Sequence, residues 1–179
     1  MWVYIGTSEL KNAYIGEVWE YTISNIPTTD TNIYVNVARS WKTIQSVTFK
    51  FIVNRVSNRW AYIQMSGNNS NTMRYWPVLE MGSWTWLRIR WRTSWSDTYF
   101  RTITTGYNSG GVNNVEFTIN RDGTWKVVCN WWITNYTATG SELTIIQTIM
   151  NLSNMNVYAA QNASWILTDN KVDVTVTYS

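Results

Sequence analysis

The residues of this chain best placed to do chemistry lie between positions 84 and 93. Trp84-Thr85-Trp86-Leu87-Arg88-Ile89-Arg90-Trp91-Arg92-Thr93 reads as a strand, and in a strand successive side chains point to opposite faces. One face then carries Trp84, Trp86, Arg88, Arg90 and Arg92, the other Thr85, Leu87, Ile89 and Trp91. Aromatic planes stack on the apolar faces of sugars and on bases, and arginine forks grip carboxylates, phosphates and planar partners. Such a face can form a surface for a sugar or a nucleic acid. Two other readings stand beside that one. The tryptophans can be core and the arginines the coat of a half-buried sheet, or the face can meet a neighbouring subunit, where Trp and Arg are enriched.

Catalytic constellations are hard to build from the rest. The chain has no histidine, which removes Ser-His-Asp and Cys-His catalysis and the usual His-containing zinc sites. Cys129 is the single cysteine. It excludes thiolate clusters and intrachain disulfides, and its place in an alternating apolar set marks it as a small buried hydrophobe. Gly110-Gly111 lacks the Gly-Lys-Ser/Thr and the helix that a phosphate loop needs. Two carboxylates could hydrolyse a glycoside, yet the 11 acidic residues are scattered. Asp97 and Glu80, flanking the Trp/Arg strand, are the least poor candidates, and solvated carboxylates are their ordinary reading. No Asp-x-Asp-x-Asp calcium loop is present. No catalytic residue, metal or cofactor is expected.

The elements that must position these residues read as strands. Ile33, Val35 and Val37 alternate with Tyr34, Asn36 and Ala38. Val47, Phe49, Phe51 and Val53 form a second apolar set, with Ile52 breaking the polar side. Trp60 to Met65 runs into the turn cluster 66–71, and Pro77 confines residues 73–80 to an edge or a break. A turn at 94–97 leads to a returning strand over 98–104, then a loop over 106–114. Val115, Phe117 and Ile119 precede Arg121-Asp122-Gly123, the strongest hairpin signal, because Asp-Gly suits the positive φ of tight turns. Trp125, Val127, Cys129, Trp131 and Ile133 follow as one apolar face, so of Trp131 and Trp132 one should be buried and the other exposed or at an interface. Leu143 to Met150 fits a strand or one short helix. Residues 156–160 and 165–168 are short strands, and Val172, Val174, Val176 and Tyr178 close the chain.

About ten short strands, with turn signals every 8–12 residues or so, predict an all-β fold: an antiparallel β-sandwich or jelly roll. Composition agrees. Aromatic residues make up 16% of the chain and charged ones only 14%, which favours ordered β-structure over disorder. The net charge of +3 does not by itself imply nucleic acid, and none is expected as a partner. No apolar run is long enough to span a bilayer, so membrane insertion is not expected. No basic and apolar leader opens the sequence.

The first 25 residues stand apart. Val3-Tyr4-Ile5-Gly6 returns ten residues later as Ala13-Tyr14-Ile15-Gly16. The stretch is too short to bury its own apolar surface, and residues 26–32, with Pro27, read as a linker to a body over 33–179. A short N-terminal β arm is therefore expected, docked either on its own body as a first hairpin or on another chain. The opening from Trp2 to Val18 resembles the N-terminal module of virion structural proteins from tailed phages, especially the crAss-like group of Bacteroidetes hosts, which start with a repeated Tyr-Ile/Leu-Gly unit. The resemblance covers little more than a tenth of the chain. It implies a non-enzymatic head-fibre, decoration or tail component, assembled in the host cytoplasm and located in the virion. Its arm would attach to other virion proteins by strand addition or by filling an apolar groove, with Tyr4, Ile5, Tyr14, Ile15, Val18 and Trp19 as anchors. A homo-oligomer follows from repeated lattice positions. The alternative function is a carbohydrate-binding module or receptor-binding protein that takes a glycan on surface Trp and Tyr. A glycan-degrading enzyme is the weakest reading.

Overall fold

A computed structural model describes residues 3–5, 8–10, 18–29, 33–54, 61–66, 78–81, 87–92, 97–103, 106–108, 111–162 and 166–179, with the backbone alone for 3–5, 8–10 and the three strands between 78 and 103. The strands are β1 (Val3–Ile5), β2 (Ser8–Leu10), β3 (Val18–Ile23), β4 (Ile33–Asn36), β5 (Ile44–Asn54), β6 (Ala61–Ser66), β7 (Val78–Met81), β8 (Leu87–Arg92), β9 (Asp97–Ile103), β10 (Val112–Asn120), β11 (Thr124–Cys129), β12 (Trp132–Thr137), β13 (Asn156–Gln161) and β14 (Val172–Tyr178), with one α-helix among the described residues, α1 (Ser141–Met150), and a short 3-10 turn at Thr168–Asn170. They form two sheets, ordered β1-β2-β3-β14-β5-β10-β11-β12 and β4-β13-β6-β7-β8-β9. The expected antiparallel β-sandwich is the fold.

Alternation builds the core. Val47, Phe49, Phe51 and Val53 of β5 and Val115, Phe117 and Ile119 of β10 are buried. Facing them, Val35, Ala61, Ile63, Met65, Val157 and Ala159 bury the inner side of the six-stranded sheet. Phe117 packs on Phe49 at 6.0 Å between ring centroids and edge-on against Trp125 at 5.8 Å. Each such side chain contributes about 1.5–3 kcal/mol by leaving water. The segment left open between strand and helix is α1. Ile146, Ile149 and Met150, at helical spacing, are buried, so this period of three to four residues outweighs the β-branched content that allowed a strand. Tyr136 donates its hydroxyl proton to Glu142 Oε2 at 2.7 Å, and Glu142 lies in the first turn, where a negative charge suits the helix dipole.

The tight Arg121-Asp122-Gly123 turn joins β10 and β11 as expected, with Gly123 at φ 90°. Asp122 Oδ1 accepts from the Thr124 N–H (2.8 Å) and hydroxyl (2.6 Å), and these two bonds, the hydroxyl first, lower its carboxyl pKa. One expectation fails at the next turn. Trp131 and Ile133 do not continue the face of Trp125, because β11 ends at Cys129 and the chain reverses at Asn130-Trp131 into β12. Neither Trp131 nor Trp132 is buried; they are 89% and 58% exposed. Asn130 takes a positive φ of 54°, a conformation Asn tolerates, and so places a turn where hydrophobic alternation alone predicts strand. Asp97 likewise opens β9 instead of closing the preceding turn.

Val18–Ile23, grouped by its sequence with the arm, is an interior strand. β3 pairs with β14 on one side and β2 on the other, and Tyr21 and Ile23 are buried. A polar lock fixes this seam. Tyr178 donates to the Val37 carbonyl (2.6 Å), so its contact with the Tyr21 hydroxyl (3.0 Å) uses the Tyr21 proton, while Arg39 donates to Tyr21 at 2.8 Å. Burial raises the pKa of both phenols. A second lock is Gln161, fully buried, which donates to the Ile26 carbonyl (3.0 Å) and Asn170 Oδ1 (2.7 Å) and accepts from the Leu167 N–H (3.0 Å).

Candidate functional site

The inner sides of both sheets are spent on the core, so a site must lie on an outward face, in a groove or along an edge. The six-stranded sheet has the unusual outward face. Along β6 and β13 every residue is buried, on both sides of the sheet. On the side away from the core these are Tyr62, Gln64 and Ser66 of β6, with Asn156, Tyr158 and Ala160 of β13. The pairing extends this face to Tyr34 and Asn36 of β4. Buried polar groups on an outward face are unfavourable unless hydrogen-bonded, and this set is organised. Asn36 Nδ2 donates to Asn156 Oδ1 (3.0 Å), and Asn156 Nδ2 donates to the Tyr158 hydroxyl (3.2 Å). The Tyr34 ring lies 5.3 Å from that of Tyr158, tilted by 39°. Tyr34 is 39% exposed at the margin, whereas Tyr158 is 2% exposed. Burial, the largest influence, raises the Tyr158 pKa against the lowering effect of Asn156.

Backbone register carries these rows into the strands that hold the Trp/Arg motif. Tyr62 pairs with Glu80, Glu80 with Arg88, and Arg88 with Thr102. Tyr34, Tyr158 and Gln64 continue to Val78, Arg90 and Phe100. Arg88 and Arg90 are therefore in register with the tyrosine and amide positions of β6 and β13. Arg92 lies beyond an irregularity after Trp91 and pairs with Asp97. Glu80 and Asp97 belong to β7 and β9. Trp84 and Trp86 lie outside the described residues.

The anchors expected of the arm divide similarly. Tyr4 and Ile5 belong to β1, which pairs with β2 as a hairpin on the edge of the eight-stranded sheet. Ser8–Leu10, lying between the two copies of the repeat, is its second strand. Val18 and Trp19 pair with Thr177 and Val176 of β14, and the Arg39 guanidinium lies 5.0 Å above the Trp19 ring. Tyr14 and Ile15 lie outside the described residues. Cys129 is buried as expected, its thiol pushed up to about 11 by burial; a thiol so held is a poor nucleophile at neutral pH.

The outward face of the eight-stranded sheet offers a contrasting groove of about 360 Å³, lined by Lys50, Ile52, Asn114, Glu116, Asp169 and Lys171 among others. Its charges are largely matched, with Lys50–Glu116 and Lys171–Asp173 ion pairs at 3.2 Å. Its one aromatic lining residue, Phe51, is a core side chain only 5% exposed. Among the described residues no group of three or more acidic or cysteine side chains is gathered for a metal ion.

The positions of this face missed in the sequence are Tyr34, Asn36, Tyr62, Gln64, Asn156 and Tyr158. They form the polar half of strands whose apolar half points to the core, and alternation alone assigns that half to solvent. The available signal was its content, which is amides and tyrosines in place of lysines and glutamates.

No protein-family model and no curated protein sequence matches this chain. Among solved structures it is similar to sheep galectin-11 in complex with glycerol, at 11% identity, over 80% of this chain and 97% of that one, with a TM-score of 0.52. Caenorhabditis elegans galectin LEC-6 gives 9% identity over 88% and 95%, with a TM-score of 0.49. The CBM40 of the Ruminococcus gnavus IT-sialidase, bound to α2,3 sialyllactose, gives 9% over 82% and 91%, with a TM-score of 0.48. The first of these likenesses supports the β-sandwich fold and nothing finer.

Proposed function

We propose that the protein is a non-enzymatic carbohydrate-binding β-sandwich that takes a saccharide on the outward face of its six-stranded sheet. The observation that carries this reading is Tyr34, 39% exposed at the margin of the face, with half-buried Asn36 beside it, both backed by the buried Asn156 and Tyr158 beneath them. A sugar needs fixed donors and acceptors for its hydroxyls and an aromatic plane for its apolar face, arranged before it arrives. A galectin fold in the same architecture is consistent with that use. Arginines at the Arg88 and Arg90 positions suit a sugar that carries a carboxylate, through charge-assisted forks. Binding rather than turnover fits the groups on the face. Among its described side chains none is a carboxylate, and Tyr158 holds its proton more tightly than an ordinary phenol, which makes it a hydrogen-bonding group and not a base.

A glycan array that includes neutral and uronic or sialic acid saccharides tests the reading. The wild-type chain should bind at least one class, and Tyr34→Ala and Arg90→Ala should each weaken binding by about tenfold with the fold retained. A blank array, or hits indifferent to both variants, would contradict it. Release of shortened or unsaturated sugar products would contradict the non-enzymatic part.

The β1–β2 hairpin favours a second, compatible reading, in which the chain is a tailed-phage virion component attached through its first residues. The hairpin forms the edge of the eight-stranded sheet, where backbone groups can accept a strand from another protein. Because β3 is interior, the informative truncation removes residues 1–12 and keeps Val18–Ile23. That protein should fold yet fail to join particles; incorporation at the wild-type level would exclude the attachment role.

A further inference from the structure

The opposite edge of the eight-stranded sheet is β12, and it lacks the charge, the proline and the bulge by which natural edges avoid pairing. Trp132-Ile133-Thr134-Asn135-Tyr136-Thr137 contains no charge and no proline, and its pairing with β11 runs without a bulge. Among the described residues only β11 lies alongside it. At its start three consecutive large hydrophobics face solvent: Trp131 at 89%, Trp132 at 58% and Ile133 at 57% exposure.

This exposure is built into the fold. Asn130, at φ 54°, donates to the Gly106 carbonyl (2.7 Å) and accepts from the Asn114 N–H (3.0 Å), and its own N–H meets the Asn114 carbonyl at 2.8 Å. Asn113, itself fully buried, holds the adjoining loop through the Asn108 N–H (2.6 Å) and the Asn108 and Gly111 carbonyls. Gly106 has φ 75°, and a Cβ there would lie 2.6 Å from Trp132 Cδ1. The glycine leaves the room that Trp132 occupies against the loop. A turn fixed this firmly presents its tryptophans in one arrangement, so little ordering is lost when they are covered.

We infer that two copies of this chain pair antiparallel through β12 about a two-fold axis, joining their eight-stranded sheets into one. The strand is complementary to itself. Residues opposite each other in antiparallel strands share a face, so an axis at Thr134 sets Thr134 against the partner's Thr134 and Trp132 against the partner's Tyr136. Thr–Thr and aromatic–aromatic pairs are both favourable across strands. The absence of charge means that no like charges meet. The two tryptophans expose on the order of 350 Å² per copy, or about 700 Å² for the pair, against the roughly 1,000 Å² that a specific interface should clear. Ile133 and the flanking strand add to that. The inference stands apart from the saccharide reading, because pairing needs no sugar; a dimer would also present two saccharide faces together and raise avidity.

Sedimentation velocity on the full chain, without sugar, tests it. The wild type should pass from monomer to dimer between low and high micromolar concentration. Ile133→Lys, on the exposed edge, should weaken pairing by about tenfold or more while leaving the circular dichroism unchanged. Thr134→Cys should form a covalent dimer under mild oxidation, the buried Cys129 serving as the silent internal control. A wild type that stays monomeric throughout would overturn the proposal. So would a dimer unaffected by Ile133→Lys and not trapped by Thr134→Cys, or tryptophans that turn out to bind sugar on a monomer.

Discussion

The two outward faces of this sandwich are made by the same alternation and differ in what it leaves behind. On the eight-stranded sheet the outward residues around the groove include lysine, glutamate and aspartate in exposed pairs, Lys50–Glu116 and Lys171–Asp173, each at 3.2 Å. They are solvated, and their removal should be nearly silent. On the six-stranded sheet the outward residues described along β6 and β13 are mostly amides and tyrosines, all buried, with Asn156 bonded to Tyr158 and to Asn36 of β4. Folding gains little from burying polar groups when water could have satisfied them. The difference teaches that a half-polar strand need not be a solvated strand, and that the side-chain types of the polar half indicate which it is.

The comparison breaks most visibly at Tyr158. Tyr158→Ala should lower stability by about 3 kcal/mol in urea unfolding, as for a large side chain removed from a packed site. A change close to zero would make that face ordinary surface. Next in size is the alkaline limit. Tyr21, Tyr158 and Tyr178 all have folded pKa values above the ordinary 10.0, because burial disfavours the phenolate. Stability from a group whose folded pKa is raised is complete below its unfolded value and is lost as pH rises through the folded one. Thermal unfolding should therefore be flat from neutral pH to about 8, fall first as pH passes the ordinary thiol value of 9.0, because burial holds Cys129 up to about 11, and fall further above about 10, with Tyr158→Phe removing one face's share of the second fall and leaving that of the Tyr21–Tyr178 seam. Asn156→Leu should cost about 1–2 kcal/mol, since it leaves Asn36 and the Tyr158 hydroxyl each short of a bond. The smallest effect belongs to the other face. Glu116→Gln should change stability by under about 0.5 kcal/mol, and less in high salt. If it rivalled Asn156→Leu, the contrast between the faces would dissolve.

Much of the sandwich was legible because hydrophobic period 2 was clean where strands are half polar, as in Val172–Tyr178 and Val115–Ile119. The turn at Asn130-Trp131 was not, because apolar residues continue through it and only the positive φ of an asparagine marks the reversal. The helix at 141–150 was half legible, since ten residues carry too few turns to outweigh isoleucine and threonine. Of the site, the positions Arg88 and Arg90 were found from the alternation of one strand. Their row partners Tyr34, Gln64 and Tyr158 were not, because cross-strand register depends on which strands become neighbours. β4 and β13 are joined across 120 residues in the Asn36–Asn156 bond, and no local pattern announces that pairing.

The central claim is that the outward face of the six-stranded sheet receives a saccharide. Hydrogen–deuterium exchange with and without the best-binding glycan tests it most directly. The account predicts new protection in Ile33–Asn36, Ala61–Ser66 and Asn156–Gln161, with Lys50, Glu116 and their neighbours on the other sheet unchanged. Protection confined to the groove of the eight-stranded sheet, or spread equally over both, would contradict it.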